Sequence, residues 1–130
     1  MSDKYVAFLH GKIVAICEAI LAEKIGIIAG SRILVSLHFD LFTENDSDFS
    51  IFRVVDSDTD HLPVDFERKN WSPEALQRKD IEIAESEEFY KNQVFDACRE
   101  LTKRFKLKNN SFLLFELLIK IFMRAQKYQS

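Results

Sequence analysis

Trp71-Ser72-Pro73-Glu74-Ala75-Leu76 opens the stretch whose reading decides the fold. Ser72 offers a hydroxyl N-cap, Pro73 suits the first helical position, and Glu74 sits near the positive end of the helix dipole. Beyond it, Leu76, Ile83, Tyr90, Val94, Ala97, Leu101 and Phe105 fall near one face at helical spacing. Glu85, Glu87, Glu88, Lys91, Arg99 and Lys103 fill the other faces. The spacing predicts a helix from Pro73 to about Phe105. Ser86 is the place for a break, because few globular helices exceed about 25 residues.

Working outward, Asn110 or Ser111 offers a cap for a last helix from Phe112 to about Gln126, apolar on nearly every side. Towards the N-terminus, Val6, Leu9, Ile13, Ile16 and Ile20 step by three and four, predicting a first helix that stops at Gly26. A second helix is predicted over 28–40, and the short link favours a helical hairpin. Residues 43–72 form an ordered acidic connection between the second and third helices, in which the apolar run 51–55 reads as a turn of helix or an extended segment, with Phe49, Phe52, Phe66 and Trp71 expected to pin it to the core. The fold class is all-α, one helical domain over residues 1–130 with four or five helices.

Composition agrees. The chain has 130 residues, 47% hydrophobic and 30% charged, with 3 Gly and 2 Pro. Such a chain is neither a disordered tail nor a turn-rich all-β domain. Cys17 and Cys98 lie 81 residues apart within apolar helical patterns, as buried reduced thiols would. Asp3, Lys4, His10 and Lys12 interrupt any N-terminal apolar run, so no signal peptide and a cytoplasmic location are expected.

The net charge of −3 conceals an asymmetry: residues 1–39 carry +1, residues 40–97 carry −10, and residues 98–130 carry +6. An acidic middle repels phosphate and attracts basic proteins, so no nucleic acid partner is expected. The steering charges are Asp46, Asp48, Asp56, Asp58, Asp60, Glu85 and Glu88, and the aromatic anchors are Phe49, Phe52, Trp71 and Tyr90. A solvated acidic face remains the alternative.

Asp56, Asp58, Asp60 and Glu67 have the 1, 3, 5, 12 spacing of a calcium loop, but His61 stands where that loop needs Gly. A metal-dependent or calcium-binding module over these residues and His61 is therefore an alternative reading. The preferred reading assigns no catalytic residue, no metal and no cofactor, since nothing resembles HExxH or GxSxG. The last helix has an apolar run of 12 residues, too short for the roughly 20 that a membrane span needs. It is expected to pack in the core or in a homodimer, with a membrane-peripheral role as the alternative.

Three stretches carry a resemblance: residues 23–34, residues 55–63 (Val55-Asp56-Ser57-Asp58-Thr59-Asp60-His61-Leu62-Pro63) and residues 71–83. Together they resemble a family of small, mostly helical bacterial proteins. No catalytic residue comes with the likeness. In type rather than motif, the chain is also similar to immunity proteins of contact-dependent growth inhibition systems. That similarity implies a non-enzymatic inhibitor of a basic toxin domain, a nuclease in many such systems, bound through the acidic surface.

Overall fold

The computed structural model describes residues 2–41 and 46–129, and their side chains except at 107–116 and 125–129. Among the described residues four α-helices follow one another: α1 (Asp3–Leu21), α2 (Ile27–Leu41), α3 (Ser50–Asp58) and α4 (Pro73–Gln129). Short 3₁₀ turns at Ser47–Phe49 and Asp65–Asn70 flank α3. No strand occurs among the described residues, in agreement with the all-α expectation.

The helix ends follow local chemistry. The Ser2 hydroxyl accepts a hydrogen bond from the Tyr5 N–H at 3.2 Å, capping α1. α1 stops well before Gly26. Glu23 adopts a left-handed φ of 58°. Its N–H donates to the Ile20 carbonyl at 3.0 Å, and the Lys24 N–H donates to the Ala19 carbonyl at 2.9 Å. This is the paired bonding of a Schellman cap, here without its usual glycine. Gly26 instead leads into α2, its carbonyl accepting from the Gly30 N–H at 2.9 Å. Ser72 caps α4 as the sequence predicts, its hydroxyl accepting from the Ala75 N–H at 3.2 Å.

Two expectations are corrected. The connection between the second helix and the long one is not a loop: residues 50–58 form α3, because Ile51, Phe52 and Val55 present an apolar side to α2 and α4. The long helix also has no break at Ser86 and no new start at Asn110 or Ser111. Both lie inside α4, which runs 57 residues, or about 86 Å at 1.5 Å per residue.

The core is a stripe from each helix. Leu9, Ile13, Cys17 and Ile20 of α1 meet Tyr90, Val94, Cys98, Leu101 and Phe105 of α4, the most extensive packing in the molecule. α2 adds Ile28, Leu34, Leu37 and Leu41, and α3 adds Phe52 and Val55. Gly30 allows a close crossing, since a Cβ there would stand 2.5 Å from Ile20 Cδ1. One end of the core is aromatic: Phe49 packs against Phe105 at 6.2 Å and Phe52 at 6.3 Å between ring centroids. His38 stacks on Phe49 at 4.1 Å and His10 on Phe105 at 4.3 Å. Among the described side chains Phe105 is the last core residue of α4, and those from 117 to 124 are exposed.

Candidate interaction site

Arg32 organises the acidic connection. It is a cation in a largely apolar helix, with its side chain only 20% exposed. Its Nη2 donates to the carbonyls of Thr59 at 2.7 Å and Leu62 at 3.0 Å. Its Nε lies 3.7 Å from Asp56 and its Nη1 lies 3.6 Å from Glu67. The guanidinium thus stands where the calcium spacing would have placed a cation. Asp56 and Asp58 lie in α3 rather than in a loop, and Asp58 accepts a hydrogen bond from the Tyr90 hydroxyl at 2.8 Å. No group of three His, Cys, Asp or Glu suited to a metal occurs among the described residues.

Two further contacts fasten residues 59–71 to α4. Arg68 grips Asp80 with both nitrogens, at 2.7 and 3.1 Å, in the fork-to-carboxylate geometry that fixes orientation. His61 Nε2 lies 2.7 Å from Glu82 Oε1, and Lys79 reaches the other oxygen at 3.4 Å. The Arg68 hydrogen bonds hold the Asp80 carboxyl below the usual carboxylate range. The contact with His61, then Lys79, does the same for Glu82.

The segment so held presents an aromatic edge with acids beside it. Phe66 is 84% exposed, the most exposed large apolar side chain among the described residues. It follows Asp65, whose φ of 53° is left-handed, a conformation that Asp enters more readily than most residues other than glycine. Its chain neighbours Asp65 and Glu67 are exposed, as are Asp60 and Lys69 elsewhere in the segment, and Trp71 closes the segment at 37% exposure.

The sequence-selected residues divide accordingly. Phe49 and Phe52 are wholly buried and Tyr90 nearly so; these three are core, not partner anchors, because the helices fold over them. Phe66 is the reverse case, expected in the core and found outside it. Asp46 and Asp48 both bind Arg104, at 2.9 and 2.8 Å, and so fasten the 3₁₀ turn to α4 rather than facing a partner. Asp56 and Asp58 are tied to Arg32 and Tyr90. Asp60, Trp71, Glu85 and Glu88 remain at the surface; Glu85 and Glu88 make no ion pair among the described residues, and Glu88 borders the hollow beside the α1–α2 turn with Lys24 and Gly26.

Sequence reasoning missed Arg32, Asp65, Arg68 and the exposure of Phe66. Arg32 carried a signal: a lone basic residue amid Ile27, Ile28, Ile33 and Leu34 needs a partner for its charge. Ile81 and Phe89, exposed beside Glu85 and Glu88, were also missed. No helix of the described residues is long and apolar enough to cross a membrane. No family model, no curated protein and no solved structure matches the chain, so the functional reading stands on this geometry.

Proposed function

We propose that this chain is a non-enzymatic binding protein that neutralises a basic toxin domain, in the manner of an immunity protein, by docking it on the edge formed by residues 60–71. The observation that carries the reading is Phe66, presented to solvent between Asp65 and Glu67 on a segment tied down at Arg32, Asp80 and Glu82. An exposed aromatic supplies the kind of anchor that dominates interface energy, and the carboxylates beside it favour approach of a basic surface. Because the segment is already ordered, little conformational entropy is lost when a partner arrives. A basic nuclease domain is the partner class that fits this chemistry.

The test is a paired capture from lysate of the source cell, using the tagged chain and a Phe66→Ala, Asp65→Lys variant, at about 50 and 500 mM salt. A basic protein held by the parent at low salt, weakened at high salt and lost by the variant is expected. That protein should arrest growth when expressed alone and not when co-expressed with the parent chain. Equal retention by parent and variant, or a captured protein harmless to growth, overturns the proposal.

A further inference from the structure

We propose that two copies of this chain pair antiparallel along the outward face of α4, so that residues 106–129 of each lie beside residues 73–96 of the other. The first observation is an apolar surface left open. Leu117, Leu118, Ile119, Ile121, Phe122 and Met123 are 43–64% exposed on α4, and no described side chain beyond Phe105 belongs to the core. A helix apolar on most sides is a buried helix by composition.

A second patch shares its face. Ile81 and Phe89 are 63% and 73% exposed on the part of α4 that packs on the body. Leu117 follows Ile81 by 36 residues and Ile121 follows Glu85 by 36, which is ten full turns at about 3.6 residues per turn. The two patches therefore point the same way from opposite ends of one rod. Only an antiparallel partner of the same sequence lays each patch against the other end of the rod.

Charge selects the same direction. Residues 73–97 of α4 carry −4 and residues 98–129 carry +6. Antiparallel pairing sets acidic half against basic half twice, and parallel pairing sets like against like. The midpoint of α4 is residue 101; within five residues of it Arg104 and Lys106 are paired with Asp46, Asp48 and Glu18 of the body, and the remaining Asp96, Arg99, Glu100 and Lys103 sum to zero. A contact band one helix wide, about 10 Å, along roughly 86 Å of rod covers about 860 Å² per copy, the size of a standard stable interface. A lipid surface fits less well. Among residues 117–124 only Lys120 and Arg124 are charged, and an interfacial helix keeps a broad polar face.

The test is sedimentation equilibrium of the full chain from about 1 to 100 μM, with a Phe89→Lys, Ile121→Glu variant beside it. Both sites are solvent-exposed, so the variant folds, as circular dichroism will verify. A discrete dimer for the parent and a monomer for the variant are expected. Spin labels on a Lys120→Cys variant then report orientation, with the two labels roughly 57 Å apart if antiparallel, from 19 residues either side of the midpoint. Labels closer than about 20 Å overturn the proposal in favour of parallel pairing. A parent chain monomeric at 100 μM overturns it outright. A monomer that sediments with phosphatidylglycerol vesicles transfers the surface to a membrane.

Discussion

Arg32 Nη2 donates to the Thr59 carbonyl oxygen at 2.7 Å, the shortest of the contacts by which one α2 side chain holds the turn after α3. The same nitrogen reaches the Leu62 carbonyl at 3.0 Å, so a single guanidinium satisfies two carbonyls in a segment without a helical ladder of its own. Hydrogen bonds from charged donors contribute about 1.5–3 kcal/mol each. Arg32→Ala should therefore cost about 2–4 kcal/mol in urea unfolding. Arg32→Lys should recover less than half, because an ammonium cannot fork between two carbonyls and two carboxylates. Amide exchange over residues 59–71 should accelerate in both variants. A loss under about 0.5 kcal/mol would show that the turn holds itself.

Gly30 marks the closest approach of α1 and α2. A methyl group there meets Ile20 at 2.5 and 2.6 Å, and Ile20 is itself buried. Gly30→Ala should destabilise by about 1–3 kcal/mol, the overpacking penalty outweighing the gain in helix propensity. Adding Ile20→Val should return part of that loss, and a double-mutant cycle in chemical denaturation measures the coupling.

Glu23 holds a left-handed position that glycine fills without strain. Glu23→Gly should raise stability by roughly 0.5–1 kcal/mol, since relief of the left-handed backbone exceeds the added chain entropy and the exposed pair with Lys91 is worth little. Thermal melts read the result directly. A lowered melting temperature would mean that the Lys91 contact matters more than the backbone.

Acid should release the 59–71 segment from α4. Asp80 and Glu82 both titrate below the ordinary carboxylate range because Arg68 and His61, respectively, bind the charged forms. Groups lowered in this way contribute stability that is fully present above their unfolded values and lost as pH falls through the folded ones. Trp71 is the only tryptophan and lies at the end of this segment, so its fluorescence is a local probe. The emission should stay constant from about pH 7 to 5 and shift only below about pH 4. Asp80→Asn should move the onset upward.

Much of the fold was legible because local signals were unambiguous. Ser72-Pro73 announced the start of α4, and the apolar stripe over 28–40 fell within one residue of α2 at each end. The continuity of α4 was also written in the chain, which has no Gly or Pro after Pro73. Asn110 and Ser111 suggest a cap, but a polar residue ends a helix only when the backbone turns there, and nothing forces it to turn. Tyr90 fell on the predicted apolar stripe, so its burial was readable and its selection as an anchor conflicted with that stripe. Phe89, one residue and about 100° away, took the outer position.

The candidate site was less legible because its residues are sorted by partners far away in sequence. Phe52 and Phe66 look alike in a list of aromatics, yet one is sealed under α2 and α4 and the other stands in solvent. Asp56 and Asp60 look alike as acids, and only the position of Arg32 separates the tied one from the outward one. Local composition carries the charge of a segment. It does not say which carboxylates the fold itself will neutralise.

The pairing of α1 with α4 also bears on how the protein is made. His10 and Leu9 find Phe105 only after some 95 further residues have been added, and Cys17 waits for Cys98. Until then α1 and α2 can form a hairpin, but its far side, Leu9, Ile13 and Cys17, has nothing to cover it. A chain growing from the ribosome therefore carries an open apolar groove until residues 90–105 have followed, and long-range closure of this kind is slow. The part of α4 that seals it emerges some 80 residues after α1, which makes the nascent hairpin the stage at which a chaperone would be most needed.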